Sequence, residues 1–263
     1  MKSGLIVYNR VDADKNQWFI QEVLNQLNND NISISFLDES FLLDYAESYS
    51  VDFVIYRGRD YKLVEELESK GIIVFNNALT NKIANDKYLT YQLLKSNQLP
   101  YIPTFLDISS FTKYPIVMKS VSGHGGNEVY LIDKIIEQKA ILEQNPQTSF
   151  IYQEYLSNQG DVRLYLLDNK VIAAVKRKNL NDFRNNYSLG GEASLFDPSE
   201  EMKNDAIKVS KLLNAAFIGV DFLLTDDGFR IIEIEDPVGS RMLYQTSDID
   251  IISLYCEMIK RRI

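Results

Sequence analysis

At 263 residues, with 45% apolar and 25% charged side chains, the chain has the composition of a globular protein and the length for one elaborate unit or two to three small lobes. A formal charge of −9 argues against nucleic acid as the main partner, because such partners are held by a net basic surface. One cysteine and one histidine exclude a disulfide framework and a thiolate or histidine zinc centre and argue against a Ser/His/Asp triad, so catalysis must rest on carboxylates, lysines and arginines.

The first part of the chain alternates short β-rich runs with helical ones. Gly4 to Tyr8, Ile32 to Leu37, Asp52 to Tyr56 and Ile72 to Asn76 read as strands, and about Gln17 to Leu27 and Tyr61 to Lys70 as helices. This alternation predicts parallel strands with crossover helices, a small α/β lobe over residues 1–84, with Gly71 stopping the second helix. The apolar stretch Gly4 to Tyr8 is too short for a signal segment and no later run approaches a membrane span, so a cytoplasmic protein without a membrane partner is expected.

A second lobe, 85–148, opens with a helix from Asp86-Lys87 to Ser96, breaks between Pro100 and Pro103, and continues into the strand Pro115 to Lys119. The run Ser122-Gly123-His124-Gly125-Gly126-Asn127 then leads to a strand, Glu128 to Ile132. It reads as a hairpin and not as a P-loop, which needs a helix after its glycines and a Lys-Ser/Thr at its end. The remainder, 149–263, carries the strands Phe150 to Glu154, Asp161 to Leu167, Lys170 to Lys178, Phe217 to Leu224 and Phe229 to Glu235, mostly joined by tight turns and hence antiparallel. Asp197-Pro198-Ser199-Glu200 reads as a capping box, with proline at the first helical position, opening a helix to about Leu213. A last helix from about Asp248 holds Cys256, expected as a buried inert thiol, and ends on Lys260-Arg261-Arg262.

Three carboxylates carry the chemistry. On the strand ending Ile232-Glu233-Ile234-Glu235, alternation puts Glu233 and Glu235 on one face and the isoleucines on the other. The turn at Asp227-Gly228 brings Asp221 of the preceding strand opposite Glu233. Like charges this close call for a hard cation between them, and magnesium suits a site of two or three carboxylates completed by water and phosphate oxygens. The alternative is a solvated acidic edge. Lys119, near the end of an apolar strand, needs an anion, and the glycines after it offer N–H groups to phosphates, or else form an ordinary flexible turn. A second basic cluster, Lys176-Arg177-Lys178 with Arg184, would meet the same phosphates if the lobes fold over one another.

Taken in order, these residues resemble the ATP-grasp superfamily and, within it, the RimK-like branch of ribosomal-protein glutamate ligases, from about Asn76 to the C-terminus. Asn76-Asn77-Ala78 with Asn85-Asp86-Lys87 resembles the lead-in to that family's central lobe, Val117-Met118-Lys119 its nucleotide lysine strand, and Gly123 to Val129 its mobile phosphate cover. Gln153-Glu154-Tyr155 resembles the adenine hinge, Asp161-Val162-Arg163 the ribose segment, and Asp182 to Asn186 with Gly190-Gly191 a signature of the branch.

The resemblance implies an ATP-grasp fold, α/β with an α+β C-terminal part: a parallel N-terminal lobe plus central and C-terminal lobes whose antiparallel sheets enclose the nucleotide. ATP contacts are implied at Lys87, Lys119, Gly123, Gly125, Gly126, Gln153, Glu154, Tyr155, Asp161, Lys176, Arg184 and Asn186, with Lys119 and Arg184 catalytic. Asp221, Glu233 and Glu235 are implied to hold Mg2+ as two ions, with Mn2+ as the alternative. The implied activity is ADP-forming carboxylate-amine ligation through an acylphosphate, on a small-molecule or peptide carboxylate and amine. Arg57, Arg59 and Arg241 are candidates for the substrate carboxylate. Self-association stays open. Two departures keep open a rival reading, a non-catalytic ATP-binding regulator: Glu235 stands where the family usually has asparagine, and Ser188-Leu189 where the branch usually has a basic pair.

Overall fold

The computed structural model describes residues 2–30, 32–111, 113–126, 128–179, 182–185 and 191–263. The chain opens with β1 (Ser3–Tyr8), α1 (Arg10–Lys15), α2 (Gln17–Asn29), β2 (Ser33–Asp38), α3 (Leu42–Ser48), β3 (Phe53–Tyr56), α4 (Tyr61–Ser69) and β4 (Ile73–Phe75). The four strands form a parallel sheet in the order β2-β1-β3-β4, as the alternation predicts. Gly71 takes φ +80 just after α4, the left-handed conformation that glycine adopts without steric cost. Asn9 caps α1, a short helix absent from the sequence reading, by accepting from the Asp12 N–H at 2.9 Å.

Next come α5 (Ala78–Ala84), α6 (Lys87–Ser96), β5 (Thr104–Phe105), β6 (Ile116–Ser120), β7 (Val129–Ile132), α7 (Ile135–Gln144) and β8 (Phe150–Glu154). Asp86 caps α6, accepting from Tyr88 and Leu89 N–H, so Lys87 is the first residue of the helix. Strands β6 and β7 are the antiparallel arms of the glycine hairpin. The sheet order is β5-β8-β6-β7, and β8 is therefore hydrogen-bonded into this second sheet, beside Lys119.

The third sheet follows from β9 (Asn158–Leu167), β10 (Lys170–Lys178), β11 (Glu192–Leu195), α8 (Glu200–Leu213), β12 (Phe217–Thr225), β13 (Gly228–Glu235), α9 (Arg241–Thr246) and α10 (Ile251–Arg262). Its order is β11-β10-β9-β12-β13, all antiparallel. The β9–β10 turn places Asp168 and Asn169 at φ 49 and 63, the paired left-handed residues of a tight hairpin. Ser199 caps α8 by accepting from Met202 N–H, so Pro198 lies one residue before the cap and not at the first helical position.

Both faces of this sheet are covered at its centre, which is why the central strands β9 and β12 are buried over most of their length. Val162, Leu164 and Leu166 pack under α8 with Ala206 and Val209. Tyr165 and Leu167, on the opposite face, share a core with α2 and α10. That second face is apolar at one end of β9 and charged at the other, where Asp161 and Arg163 continue the alternation.

Candidate active site

The charged end is a lattice across three strands. In register, Arg177 of β10 lies opposite Asp161 of β9, Arg163 of β9 opposite Asp221 of β12, and Asp221 opposite Glu233 of β13. The last pairing is the one expected from the turn at Asp227-Gly228. One detail differs. A bulge follows Asp221, so Phe222 pairs with Ile231 and Ile232 is the extra residue. Ile231 and Ile234 therefore enter the core, whereas Ile232, expected opposite the glutamates, lines the cleft with Glu233.

Burial raises the stakes of every charge here. Arg163 donates to Asp221 through Nε and Nη2, both at 2.7 Å, and through Nη2 to Glu235 Oε1 at 2.5 Å. Arg177 donates to Asp161 Oδ1 at 2.5 Å and to Asp221 Oδ2 at 2.7 Å. Burial pushes the Asp221 carboxyl upward, but the two guanidinium groups override it and hold it at about 2. For Asp161 and Glu235 burial wins over their arginines, and both carboxyls lie above the usual range.

Carboxylate oxygens of Asp221, Glu233 and Glu235 come within 4.8 Å of one another. Glu233 Oε1 pairs with Lys87 Nζ at 3.1 Å and Glu235 Oε1 with Arg163, so neither glutamate has its Oε2 paired among the described residues. Hard oxygen donors at this spacing, partly neutralised by neighbouring cations, fit a magnesium ion.

The lattice forms one wall of a cleft between the second and third sheets. Lys119 of β6 faces it. Burial depresses this amine to about 8, and it makes no ion pair or side-chain hydrogen bond among the described residues, with Glu233 as the main favourable charge nearby. Ile102, Val117, Leu223 and Ile232 give the cleft apolar surface, and Gln153, Glu154 and Tyr155 line it as well. Gln153 is held by donating to Thr104 Oγ1 at 2.8 Å.

The glycine hairpin closes the cleft. Gly125 and Gly126 take φ +69 and +77, and Gly123 passes so near Glu128 and Ser120 that a Cβ would meet them at 2.6 and 3.0 Å. Lys87 donates to Gly123 O, and Arg184, paired with Asp182 at 2.7 Å, donates to Gly126 O at 2.9 Å. The two cations thus tie the hairpin down from both sides.

Most of the residues expected at the nucleotide do meet here. Arg177 lines the cleft where Lys176 was expected, and Lys176, on the alternate side of β10, does not line it. Gly125 caps the hairpin without lining the cleft. Asn186, Ser188, Leu189 and Gly190 lie outside the described residues. The structural weight of Arg163 and Arg177 went unread, although an arginine two residues from an aspartate in an apolar strand is a signal that a buried charge needs a partner.

The substrate candidates separate. Arg59 pairs with Asp12 at 2.8 Å. Arg57 and Arg241 instead line a second cleft, whose lining includes Gly239 and Ser240, a few residues beyond Glu235. Tyr165 links the two clefts, its hydroxyl donating to Gly239 O at 3.3 Å while Arg163 and Arg177 act on it electrostatically.

In overall architecture the protein matches a D-alanine–D-alanine ligase from Bacillus anthracis complexed with ATP, at a TM-score of 0.80 and 17% identity over 99% of this chain and 96% of that one. The fold is therefore that of the ATP-grasp ligases. A model of the RimK-like ATP-grasp domain matches residues 84–259. The MG011 homolog of Mycoplasma pneumoniae is 32% identical over 92% of this chain and 86% of its own. A probable alpha-L-glutamate ligase of Haemophilus ducreyi is 25% identical over 75% and 69%. The chain belongs to the RimK-like ATP-grasp family, and ATP-dependent ligation is the activity that membership supports. No described helix is long and apolar enough to cross a membrane.

Proposed function

We propose that this chain is an ADP-forming carboxylate-amine ligase working at the cleft between the second and third sheets. The observation that carries the reading is the convergence of Asp221, Glu233 and Glu235 on one side of the cleft and, on the other, the ammonium of Lys119, unpaired among the described residues, a site with places for both a hard cation and the phosphates it neutralises. The three carboxylates would hold Mg2+, which when bound supplies charge neutralisation along the triphosphate.

The substrate carboxylate oxygen attacks the γ-phosphorus, ADP departs, and an acylphosphate remains. An amine then attacks the acyl carbon, the amide bond forms, phosphate leaves and the amine's proton passes to solvent. Lys119 and Arg184 neutralise the transferring phosphoryl group, Gln153 to Tyr155 orient the base, and the hairpin tied by Lys87 and Arg184 keeps water from the acylphosphate. Residues 1–84 serve as the N-terminal lobe, 85–148 together with β8 as the central lobe, and the chain from β9 onward as the metal-bearing lobe.

Glu233→Gln and Lys119→Ala are each expected to lower ATP turnover at least about a hundredfold, with an unchanged circular dichroism spectrum. The assay is ADP release by the purified protein supplied with ATP, Mg2+ and a mixture of amino acids and peptides. Unchanged release in either variant sinks the site. ATP binding without release under any mixture turns the reading toward a nucleotide-binding regulator.

A further inference from the structure

Amide formation takes a proton from the attacking nitrogen, and few side chains at the nucleotide cleft are free to accept one. Lys87 is held by Glu233 and by Gly123 O. Asp161, Asp221 and Glu235 are engaged by Arg163 and Arg177. Arg177 and Arg184 line the cleft as cations with no lone pair to offer. Lys119, held at about 8, is itself mostly protonated at neutral pH. Glu154 and Tyr155 belong to the hinge proposed to orient the base. Among the described lining residues that leaves the glycine hairpin, which brings His124 and Glu128 to the cleft.

His124 is the chain's single histidine, and it is exposed while also lining the cleft. Its neighbours fix which end of the cleft it occupies. Lys87, whose Nζ lies 3.1 Å from Glu233, also holds the carbonyl of Gly123, the residue before His124. The histidine therefore stands at the carboxylate end, where the phosphates and the acylphosphate belong. From the first lobe, Asp12 of α1 and Arg59 beyond β3 both act on it electrostatically, so it faces the junction of that lobe with the cleft. Partial burial and the cations Arg59 and Lys87 hold the imidazole below its ordinary value, against the weaker opposite pull of Asp12 and the Ser122 backbone. At neutral pH it is uncharged and has a lone pair to offer.

We infer that His124 is the base of the second half-reaction, taking the proton from the amine as it attacks the acylphosphate. The amine enters as its free base, the nitrogen bonds to the acyl carbon, and the carbon–oxygen bond to phosphate breaks with its electron pair leaving on phosphate. The proton that the nitrogen sheds passes to the neutral imidazole, and the exposed side of the ring hands it on to water. The glycine hairpin then has two tasks, covering the phosphates with its backbone and carrying a base to the reacting carbon. This deepens the ligase reading and rests on it.

Supplied with ATP, Mg2+ and a mixture of amino acids and peptides, the protein is assayed by mass spectrometry for amide products and, with hydroxylamine added, for hydroxamates. Hydroxylamine is a weakly basic amine whose nitrogen gives up its proton readily to water, so hydroxamates report the acylphosphate without calling on the imidazole. His124→Gln is expected to cut amide formation at least about a hundredfold while hydroxamate formation stays within about threefold of the wild type and the melting temperature does not move. Amide formation by the wild type should also show an acid limb below pH 6.5 that His124→Gln lacks, because a protonated imidazole accepts nothing. Glu128→Gln, which changes the other acid–base group of the hairpin, should leave the ratio of amide to hydroxamate as it is. An equal fall of both products in His124→Gln would make the histidine part of the cover alone and overturns the inference, as does unchanged amide formation in that variant or a fallen ratio in Glu128→Gln in its place. A wild type that forms neither product removes the ligase reading and the inference with it, whereas hydroxamates from the wild type keep the ligase even where the role of His124 fails.

Discussion

Asp221 accepts three hydrogen bonds from two guanidinium groups that are 6% and 4% exposed, so one carboxylate bridges two buried cations whose other carboxylate partners are Glu235 and Asp161. Asp221→Asn keeps the shape and removes the charge. It is expected to destabilise the fold by about 3–5 kcal/mol, the usual consequence of breaking a buried ion pair by removing one partner, read from urea denaturation at neutral pH. The pH dependence has a definite sign. Because the folded carboxyl is held at about 2, against 3.8 when unfolded, its contribution is present above pH 4 and is lost as pH falls from about 4 to about 2. Asp161 and Glu235, whose carboxyls are raised, work in the opposite direction, favouring the folded state as they take up protons. The wild type should therefore lose stability over that interval more steeply than Asp221→Asn. A variant with the same acid limb as the parent would show that the arginines do not depend on Asp221.

At the scale of elements, the site is assembled by an asparagine latch. Asn76 accepts from Ala216 and Phe217 N–H at 2.6 and 3.0 Å and donates to Phe217 O and Asp236 Oδ1 at 2.7 and 2.8 Å, fastening the end of β4 to the start of β12 and the end of β13. Asn85 donates to Asp236 O at 2.8 Å one residue before the cap of α6, which carries Lys87 to Glu233. Asn76→Ala strands several buried polar groups at once and is expected to cost about 3 kcal/mol or more, seen as a lowered melting temperature. A loss under about 1 kcal/mol would mean that water replaces the latch. Much of the frame around this latch was legible beforehand, because hydrophobic alternation and tight turns are local signals: the parallel first sheet, the glycine hairpin and the Asp221–Glu233 register all follow from them. The exceptions depend on distant partners. The bulge that turns Ile232 into the cleft needs β12 beside β13, the membership of β8 in the second sheet needs β6 beside it, and the second cleft needs α1 and α2 folded against the turn before α9.

At the scale of the whole molecule, the first and third sheets are not independent bodies. Ile20, Val23 and Leu27 of α2 share one core with Tyr255, Cys256, Met258 and Ile259 of α10, and Tyr165 and Phe217 of the third sheet close it. The chain's last helix is thereby packed against its first lobe, and Lys260 pairs with Asp30 across the same seam at 2.7 Å. Burial pushes the Cys256 thiol up to about 12, so at pH 8 it is both neutral and enclosed at 1% exposure. The native protein should then give no reaction with a disulfide reagent at pH 8, and one thiol per chain in urea. Trp18 on α2 reports the first lobe and Cys256 on α10 reports the other end of the chain. Because one core joins them, urea titrations followed by Trp18 fluorescence and by pulsed labelling of Cys256 are expected to share a single midpoint. A Trp18 transition complete before Cys256 becomes reactive would mean that the first lobe unfolds alone, and that the second cleft, built from both sides of this seam, can be lost while the nucleotide cleft survives.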